Sequence, residues 1–178
     1  AEHFAKTVEE IKKKDSTIAV EVLTSDFNGS IESIKTVVES PIKVFAQNLE
    51  TVERITHPIR DPRAGYQKTL TVLKKAKELN PNIITKSSII VGMGETDEEI
   101  NKTFEDLRLH EVDIVTLGQY LRPTLNHLPI DRWVTPDEFE KYRKEGLEYG
   151  FKEVVSGPFV RSSYRAERAL ELNNVGLA

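Results

Sequence analysis

The stretch Ile84–Ile100, ITKSSIIVGMGETDEEI, indicates the fold of this chain. Its first half is a run of apolar and β-branched residues that is too short for a helix. Such a run is typical of a strand covered on both faces in a parallel sheet. The glycines of GMG end the run, and Thr96–Glu99 matches a capping box, which opens a helix. A strand, a glycine turn and a helix N-terminus in this order place ligands at the carboxyl ends of strands in α/β folds.

The composition favours one domain and argues against several kinds of site. The 178 residues include 30% charged side chains and carry a net charge of −4, with Lys and Arg dispersed, so we expect no nucleic-acid partner. No apolar run is long enough to span a membrane, so we expect no membrane segment. The chain has no cysteine, which excludes disulfides and thiolate-bound metals within it.

The chain starts within a helical pattern. Phe4, Val8 and Ile11 recur at helical spacing, and neither a cap residue nor an initiator methionine precedes them. We therefore expect a fragment of a longer protein or a processed product.

Strand and helix patterns alternate over residues 1–122, which predicts parallel strands joined by helical crossovers. The predicted strands are Ala19–Phe27, Ile42–Ala46, Ile84–Val91 and Val112–Leu117. Polar residues follow the strands, which favours a site at their carboxyl ends. His57–Gly65 is rich in Pro, Gly and Arg and predicts a loop. A closed eight-fold barrel takes about 250 residues, so we expect an open sheet or part of a barrel.

The pattern changes in a carboxyl-terminal extension, residues 123–178. Pro123–Pro136 predicts an irregular connection, and Thr135 begins a second capping box that opens a helix. Lys152–Val155 predicts a short strand, and Arg165–Leu172 predicts a final helix. We therefore expect a single α/β domain, 1–178, made of barrel units in 1–122 and of this extension.

Four stretches resemble the lipoyl synthases of the radical S-adenosylmethionine (SAM) superfamily in order and spacing. They are Val44–Thr51 (VFAQNLET), Thr85–Thr96 (TKSSIIVGMGET), Asp113–Pro123 (DIVTLGQYLRP) followed by His127–Pro129, and Gly157–Tyr164 (GPFVRSSY). The similarity extends over nearly all of the chain. It implies a partial (β/α)6 radical-SAM-type barrel, of which this chain holds strands three to six and a carboxyl-terminal helical extension.

The resemblance implies an activity for the full-length protein, that of a sulfurtransferase. The family inserts two sulfur atoms, at C6 and C8 of an octanoyl chain bound to a lysine of a carrier protein. The implied cofactors are SAM, the source of 5′-deoxyadenosyl radicals, and two [4Fe–4S] clusters, of which an auxiliary one supplies the sulfur. The cysteine motifs that hold these clusters are absent here, so we expect the chain alone to be inactive.

The resemblance also implies partners and a location. The substrate would be an octanoylated lipoyl-carrier protein or lipoyl domain, of an H protein or an E2 subunit. The electron donor would be a ferredoxin or a flavodoxin. The protein would work in the cytoplasm, or in the mitochondrion of a eukaryote.

The motif RSSY implies the catalytic and metal-binding residues. Ser163 would be the non-cysteine ligand of the auxiliary cluster, with Ser162 as the alternative. Arg161 would lower the negative potential beside the cluster. Judged from the residues alone, a serine here is more often the N-cap of the helix that follows.

Residues that follow two predicted strands are candidates for SAM binding. Asn48 and Glu50 suit the ribose hydroxyls or the methionine part of SAM, because they offer hydrogen-bond donors and acceptors in fixed positions. Gln119, Tyr120 and Leu121 are expected to contact adenine through the backbone. For Asn48 and Glu50, the role of ordinary polar loop or helix-cap residues is the alternative.

The segment SIIVGMGE resembles the GxIxGxxE pattern of the superfamily, with Ser88 in place of its first glycine. Ile90 would supply an apolar contact to adenine, and Gly92 would permit close backbone approach. On its own the pattern is weak, since many parallel strands end in glycines for tight turns.

Five further residues have two interpretations each. Arg122 and His127 either face the substrate or order the long connection. Lys86 would point into the barrel, where an interior lysine requires a carboxylate or a ligand. Arg60 and Arg63 either meet an acidic carrier protein or are merely solvated.

Two other functions remain open at this stage. The first is a non-catalytic α/β module that binds a nucleotide or a partner protein. The second is an aldolase-type barrel, for which Lys86 is the only suitably placed lysine. Cysteine motifs encoded upstream of Ala1 would favour the lipoyl synthase over both.

Overall fold

Five parallel strands form one sheet in the computed structural model of this chain, which describes residues 1–164. The strands are β1 (Glu21–Leu23), β2 (Val44–Ala46), β3 (Ile84–Val91), β4 (Ile114–Gln119) and β5 (Glu153–Gly157). Their order in the sheet is their order in the sequence, and each neighbouring pair is parallel. The predicted α/β class is confirmed, and all five carboxyl ends lie along one edge of the sheet.

Helices join the strands and cover one face of the sheet. They are α1 (Glu2–Lys14), α2 (Ile31–Val38), α3 (Glu53–Ile59), α4 (Tyr66–Leu79), α5 (Asp97–Leu109) and α6 (Pro136–Glu148). Alternate strand residues such as Phe45, Ile89 and Leu117 share one apolar core with Leu70 and Phe104 of these helices. None of the helices within residues 1–164 combines the length and the apolar character that crossing a membrane takes.

Both predicted capping boxes are present. The Thr96 hydroxyl accepts from the Glu99 amide at 3.3 Å, and the Glu99 carboxylate accepts from the Thr96 amide at 2.9 Å. Thr135 and Glu138 make the same pair of bonds at the start of α6. Because each box satisfies amides that a helix N-terminus otherwise leaves unpaired, the starts of α5 and α6 are fixed at the edge of the sheet.

Three of the strands predicted within residues 1–122 had the wrong limits. The first is confined to β1 instead of Ala19–Phe27, because Asp26 accepts from the Asn28 amide and turns the chain into a short 3-10 helix. The one predicted at Ile42–Ala46 begins two residues later, as β2, since the Ile42 amide donates to the Ser40 carbonyl at 2.7 Å. The strand predicted at Val112–Leu117 begins and ends two residues later, as β4. Val112 does not join the sheet, because its amide donates to the Leu107 carbonyl at the end of α5.

The predicted loop His57–Gly65 was wrong at its start, where α3 continues to Ile59. Pro58 lies in the last turn of this seven-residue helix. Proline predicts a break because it removes one amide donor. Here the helix is kept by its buried Ile55 and by the Arg60 amide, which donates to the Thr56 carbonyl at 2.9 Å.

The carboxyl-terminal extension adds the predicted short strand to the sheet, as β5. β5 begins one residue later than the predicted Lys152–Val155 and continues to Gly157. It lies parallel to β4, with Gly157 opposite Gly118. The helix predicted at Arg165–Leu172 lies outside the described residues.

The face of the sheet opposite the helices contains a buried ion pair. Lys86 of β3 is 1% exposed, and its ammonium donates to both carboxylate oxygens of Glu21 on β1, at 3.0 and 2.8 Å. On β2, Ala46 is the register partner of Lys86 and Val44 is that of Glu21, so the lysine side chain crosses β2 to reach the carboxylate. The expected carboxylate partner of Lys86 is therefore Glu21, and the pair links β1 to β3.

A second buried carboxylate, Asp113, joins elements at the amino-terminal ends of β3 and β4. It accepts from the Lys77 ammonium at 2.6 Å, from the Lys152 ammonium at 2.8 Å and from the Thr85 amide at 3.0 Å. Burial raises the pKa of a carboxyl group, but these donors outweigh burial. The pKa of Asp113 therefore lies below its ordinary value.

We expect Lys86→Met to destabilise the fold by about 3 kcal/mol, because removal of one member of a buried pair leaves an uncompensated charge. The double variant Glu21→Leu/Lys86→Met should recover most of this loss, since it removes both charges. Urea unfolding of the two variants measures the effect, with the exposed Lys43→Met as control. Equal losses in the single and double variants would contradict the role of the pair.

The lowered pKa of Asp113 predicts a pH dependence of stability. A carboxyl group whose pKa is lower in the folded state stabilises the fold above its unfolded pKa of about 3.9, and the contribution is lost as the pH falls through the folded value. Asp113→Asn should reduce stability at pH 7 and flatten the decline on acidification. Denaturant unfolding from neutral to acid pH tests this, with the exposed Glu9→Gln as control. An unchanged decline in the Asp113 variant would refute the prediction.

Candidate functional site

A cleft of about 340 Å³ opens at the carboxyl ends of β2, β3 and β4. Nine of the residues singled out from the sequence line it: Asn48, Glu50, Ser88, Ile90, Gln119, Tyr120, Leu121, Arg161 and Ser162. Gly92 and Ser163 lie outside its lining. The cleft brings together residues that are up to 114 positions apart in sequence, because the strands that precede them are parallel neighbours.

The residues after β2 form one wall of the cleft. The Asn48 amide nitrogen donates to the Glu50 carboxylate at 3.1 Å. Glu50 has a φ of 71°, and its backbone pairs with β3: its amide donates to the Ser88 carbonyl at 2.9 Å, and its carbonyl accepts from the Ile90 amide at 2.8 Å. The Asn48 Oδ1 atom is buried and has no hydrogen-bond partner within residues 1–164. This wall therefore offers an unused acceptor held in a fixed position.

The β3 residues form the floor and an apolar side. The Ser88 hydroxyl accepts from the Thr116 hydroxyl at 2.8 Å. This hydrogen bond links β3 to β4 and fixes the orientation of the serine side chain. Ile90 is partly exposed at the end of the strand, opposite Gly118. An apolar side chain beside backbone edges suits a flat, uncharged ring.

The side chain of Gln119 is committed to the protein rather than to the cleft. Its amide nitrogen donates to the carbonyls of Val91 and Arg132, at 3.3 and 3.2 Å, and its oxygen accepts from the Val134 amide at 2.9 Å. It thereby holds residues 131–134, here called the strap, against the sheet. The predicted contact of Gln119, Tyr120 and Leu121 with a ligand through the backbone is compatible with this arrangement and stays a prediction.

Gly92 faces the strap. A Cβ atom at Gly92 would overlap the Gln119 amide and the Arg132 carbonyl, and the residue has a φ of 95°. The turn that it opens is held by Glu95, whose carboxylate accepts from the amides of Gly92 and Met93 at 2.5 and 2.9 Å. Close backbone approach at this glycine is thus to the protein's own strap.

A hydrogen-bonded chain anchors the strap to α5 and α6. Arg132 donates to the Glu138 carboxylate at 2.6 Å and to the Tyr142 hydroxyl at 2.9 Å, and Tyr142 donates to Asp97 at 2.7 Å. Burial raises the pKa of Tyr142. The Lys141 ammonium, followed by the Tyr142 hydroxyl, lowers the pKa of Asp97. The phenol is therefore neutral and the carboxylate ionised at physiological pH.

The segment after β5 covers the cleft from the other side. Val160 lies over β4, so that its carbonyl oxygen occupies the space that a side chain at Gly118 would fill. Arg161 donates to this carbonyl at 2.7 Å, and Ser162 lines the cleft. Ser163 follows on the exposed side. The sequence had not singled out Gly118, although a glycine within a strand often marks such close backbone approach.

The four remaining candidates, three arginines and one histidine, bind groups of their own or adjoining loops. Arg122 donates to the His127 carbonyl at 2.9 Å and to the Leu125 carbonyl, and the His127 ring lies 2.9 Å from the Thr124 hydroxyl. These contacts order the connection after β4. In the loop after α3, Arg60 donates to the Leu49 carbonyl at 3.3 Å, and Arg63 binds a neighbouring aspartate.

The described part of the chain contains no cluster of side chains that could bind a metal ion by itself. Residues 1–164 contain no group of three or more His, Cys, Asp or Glu side chains arranged to hold an ion. Together with the lack of cysteine, this means that a cluster beside the cleft would take most of its ligands from outside this chain.

Gly118→Ala should destabilise the protein by about 1–3 kcal/mol, the usual effect of overpacking, and displace residues 157–162 from the cleft. Thermal unfolding and limited proteolysis after Arg161 measure the two effects. Gly65→Ala is the matched control, because its Cβ would make only ordinary contacts, at 3.4 Å or more. An unchanged proteolysis rate at Arg161 would mean that Val160 does not depend on the glycine.

Comparison with known proteins supports the resemblance noted in the sequence. The chain is 60% identical to the lipoyl synthase of Halorhodospira halophila over 177 residues, which are 99% of this chain and 53% of that protein. It is 58% identical to the lipoyl synthase of Legionella pneumophila (strain Corby) over 177 residues, 99% of this chain and 54% of that protein. The chain spans about half the length of these curated relatives.

A solved structure shares the fold. It is a radical SAM methyltransferase, TsrM, from Kitasatospora setae, determined with cobalamin and a [4Fe–4S] cluster bound. The TM-score is 0.51 at 12% sequence identity, over 74% of this chain and 26% of that one. The likeness concerns the arrangement of strands and helices.

The sequence model of the radical SAM superfamily matches residues 2–107, more than half of the sequence. The chain therefore belongs to the radical SAM superfamily.

Proposed function

We propose that this chain is part of a lipoyl synthase, the part that follows the cysteine motifs. The observation that carries the proposal is the 60% identity to a lipoyl synthase across 99% of the chain. The assembly in one cleft of the residues expected to bind SAM, apart from Gly92, adds support. Since the chain has no cysteine, the thiolate ligands of both clusters would belong to the rest of the protein, and the chain alone should be inactive.

The proposed reaction converts a protein-bound octanoyl-lysine into a lipoyl-lysine by insertion of two sulfur atoms, at C6 and C8. When bound, SAM and its cluster supply the 5′-deoxyadenosyl radical that removes hydrogen from these carbons, and the auxiliary cluster supplies the sulfur. The substrate is an octanoylated lipoyl domain of an H protein or an E2 subunit. The electron donor is a ferredoxin or a flavodoxin.

The residues of the cleft suit SAM. The unpartnered Asn48 Oδ1 can accept from a ribose hydroxyl or from the ammonium group of the methionine part, and Glu50 offers a second acceptor beside it. Ile90 and Leu121 offer apolar side chains to the adenine ring, and the backbone of Tyr120 lies at the same edge. In the proposed enzyme these groups orient SAM and exclude water from it.

Ser163 is the proposed oxygen ligand of the auxiliary cluster, and Ser162 is the alternative. Ser162 lines the cleft and Ser163 lies next to it, so either hydroxyl is near the proposed SAM site. A serine oxygen would distinguish one iron from those held by thiolates and would be displaced readily when sulfur leaves. Arg161 would lower the negative potential around the cluster.

The complete gene product that contains this chain, purified anaerobically, should hold about eight irons and eight sulfides, the content of two [4Fe–4S] clusters. With SAM and dithionite it should convert an octanoyl-lysyl peptide into a lipoyl-lysyl peptide, detected by mass spectrometry. The 178-residue chain alone should give no product. A complete product that binds no iron would contradict the enzyme and favour a non-catalytic binding module.

Ser163→Ala should abolish lipoyl formation while 5′-deoxyadenosine is still produced, because only the sulfur-donating cluster is affected. Ser162→Ala should retain lipoyl formation, and Ser16→Ala, in an exposed turn, is the control. The opposite behaviour of the two variants would move the ligand to Ser162. Full activity in both would reject a serine ligand in this motif.

A further inference from the structure

A second cleft, of about 310 Å³, lies beside the first at the carboxyl ends of β1 and β2. It is bounded by the turn after β1, by the loop after α3 and by Thr69 of α4. Asn48 and Glu50 line both clefts and separate them. A molecule held in the second cleft would therefore lie directly beside one held in the first.

Gln47, the residue after β2, contributes a carboxamide to this second cleft. Its side chain is 6% exposed, and its nitrogen makes one long hydrogen bond, of 3.4 Å, to the Thr69 hydroxyl. Its oxygen finds no hydrogen-bond partner in the part of the chain that the structure describes. Because the last torsion of a glutamine side chain has a broad range, a rotation about it can turn this oxygen toward the cleft that Gln47 lines.

The charged side chains around Gln47 are engaged with one another, with a neutral amide or with the backbone. Arg63 binds Asp61 through two hydrogen bonds of 2.8 and 2.9 Å, and the Arg63 guanidinium lowers the pKa of that carboxyl. Lys68 pairs with Asp26 at 3.5 Å. Glu50 accepts from the neutral Asn48 amide, and Arg60 donates to the Leu49 carbonyl. The free acceptor is a neutral carboxamide oxygen, which can bind an N–H donor but not a phosphate or a carboxylate.

We propose that Gln47 accepts a hydrogen bond from the amide N–H of an acylated lysine and so selects acyl groups attached through nitrogen. The inference rests on the proposed function, whose substrate has one secondary amide at the start of its octanoyl chain. With this amide in the second cleft, the acyl chain extends past Asn48 and Glu50 toward the first cleft. Gln47 is then a specificity-determining residue, distinct from those expected to bind SAM.

The proposal predicts that the complete gene product distinguishes an amide from an ester. The ester of octanoate with a hydroxynorleucine peptide keeps the carbonyl and the chain length of the octanoyl-lysyl peptide but lacks the N–H donor. Loss of a hydrogen bond to a buried acceptor should weaken binding about tenfold. Dissociation constants of the two fluorescently labelled peptides, measured by anisotropy under anaerobic conditions, give this ratio.

Three variants locate the preference. Gln47→Leu should bind both peptides with similar affinity, whereas Gln47→Glu keeps an acceptor oxygen and should retain the preference for the amide. Gln67→Leu, on the exposed side of α4, should behave like the wild type. Unfolding midpoints of all three variants identify any loss of fold. The ratio of the two dissociation constants in the wild type tests the proposal even if a variant fails to fold.

Equal affinity of the wild type for the two peptides, or an unchanged preference in Gln47→Leu, would overturn the inference. Either result can occur in a protein that still forms lipoyl-lysine, so the proposed function would stand. If the wild type neither binds nor converts the octanoyl-lysyl peptide, the proposed function fails and the inference falls with it.

Discussion

The site depends on one backbone bridge, between Glu50 and β3. Glu50 lies beyond the end of β2 with a φ of 71°, yet its amide and carbonyl pair with Ser88 and Ile90. A left-handed conformation costs a residue with a side chain about 1–3 kcal/mol, and the two hydrogen bonds to β3 compensate for this. The bridge extends the β2–β3 pairing past the strand end. It thereby makes the segment from Asn48 to Glu50 the common wall of both clefts.

Two glutamines at the carboxyl ends of strands illustrate how packing separates structural from functional polar groups. Gln119 uses its nitrogen and its oxygen to hold the strap, and nothing of its carboxamide is left for a ligand. Gln47 keeps a buried, unpaired oxygen beside the second cleft. Their sequence contexts are alike, since each directly follows apolar strand residues. The strap supplies partners to Gln119, whereas Gln47 has one long bond to the Thr69 hydroxyl.

The carboxyl-terminal extension belongs to the site as much as the preceding units do. β5 extends the sheet beside β4, and the chain after it returns over Gly118 with the Val160 carbonyl in contact. This close approach brings Arg161 and Ser162 to the cleft lined by residues of β3 and β4. A side chain at position 118 would overlap the Val160 carbonyl and keep this segment of the extension away from β4. One glycine inside a strand thus joins the proposed cluster ligand to the proposed SAM site.

Local patterns predict the parallel α/β class and the capped starts of α5 and α6: they are apolar runs, glycine turns and capping boxes. Strand-end polar residues such as Asn48 and Glu50 predict part of the first cleft, and the resemblance to lipoyl synthases implied Ser88, Ile90, Arg161 and Ser162. Three features became visible only in the folded chain: Lys86 pairs with Glu21, 65 residues away, α3 replaces part of a predicted loop, and Gln47 is unsatisfied while Gln119 is not. A buried polar group takes its partner from whatever segment packs against it, and for these side chains that segment is distant in sequence.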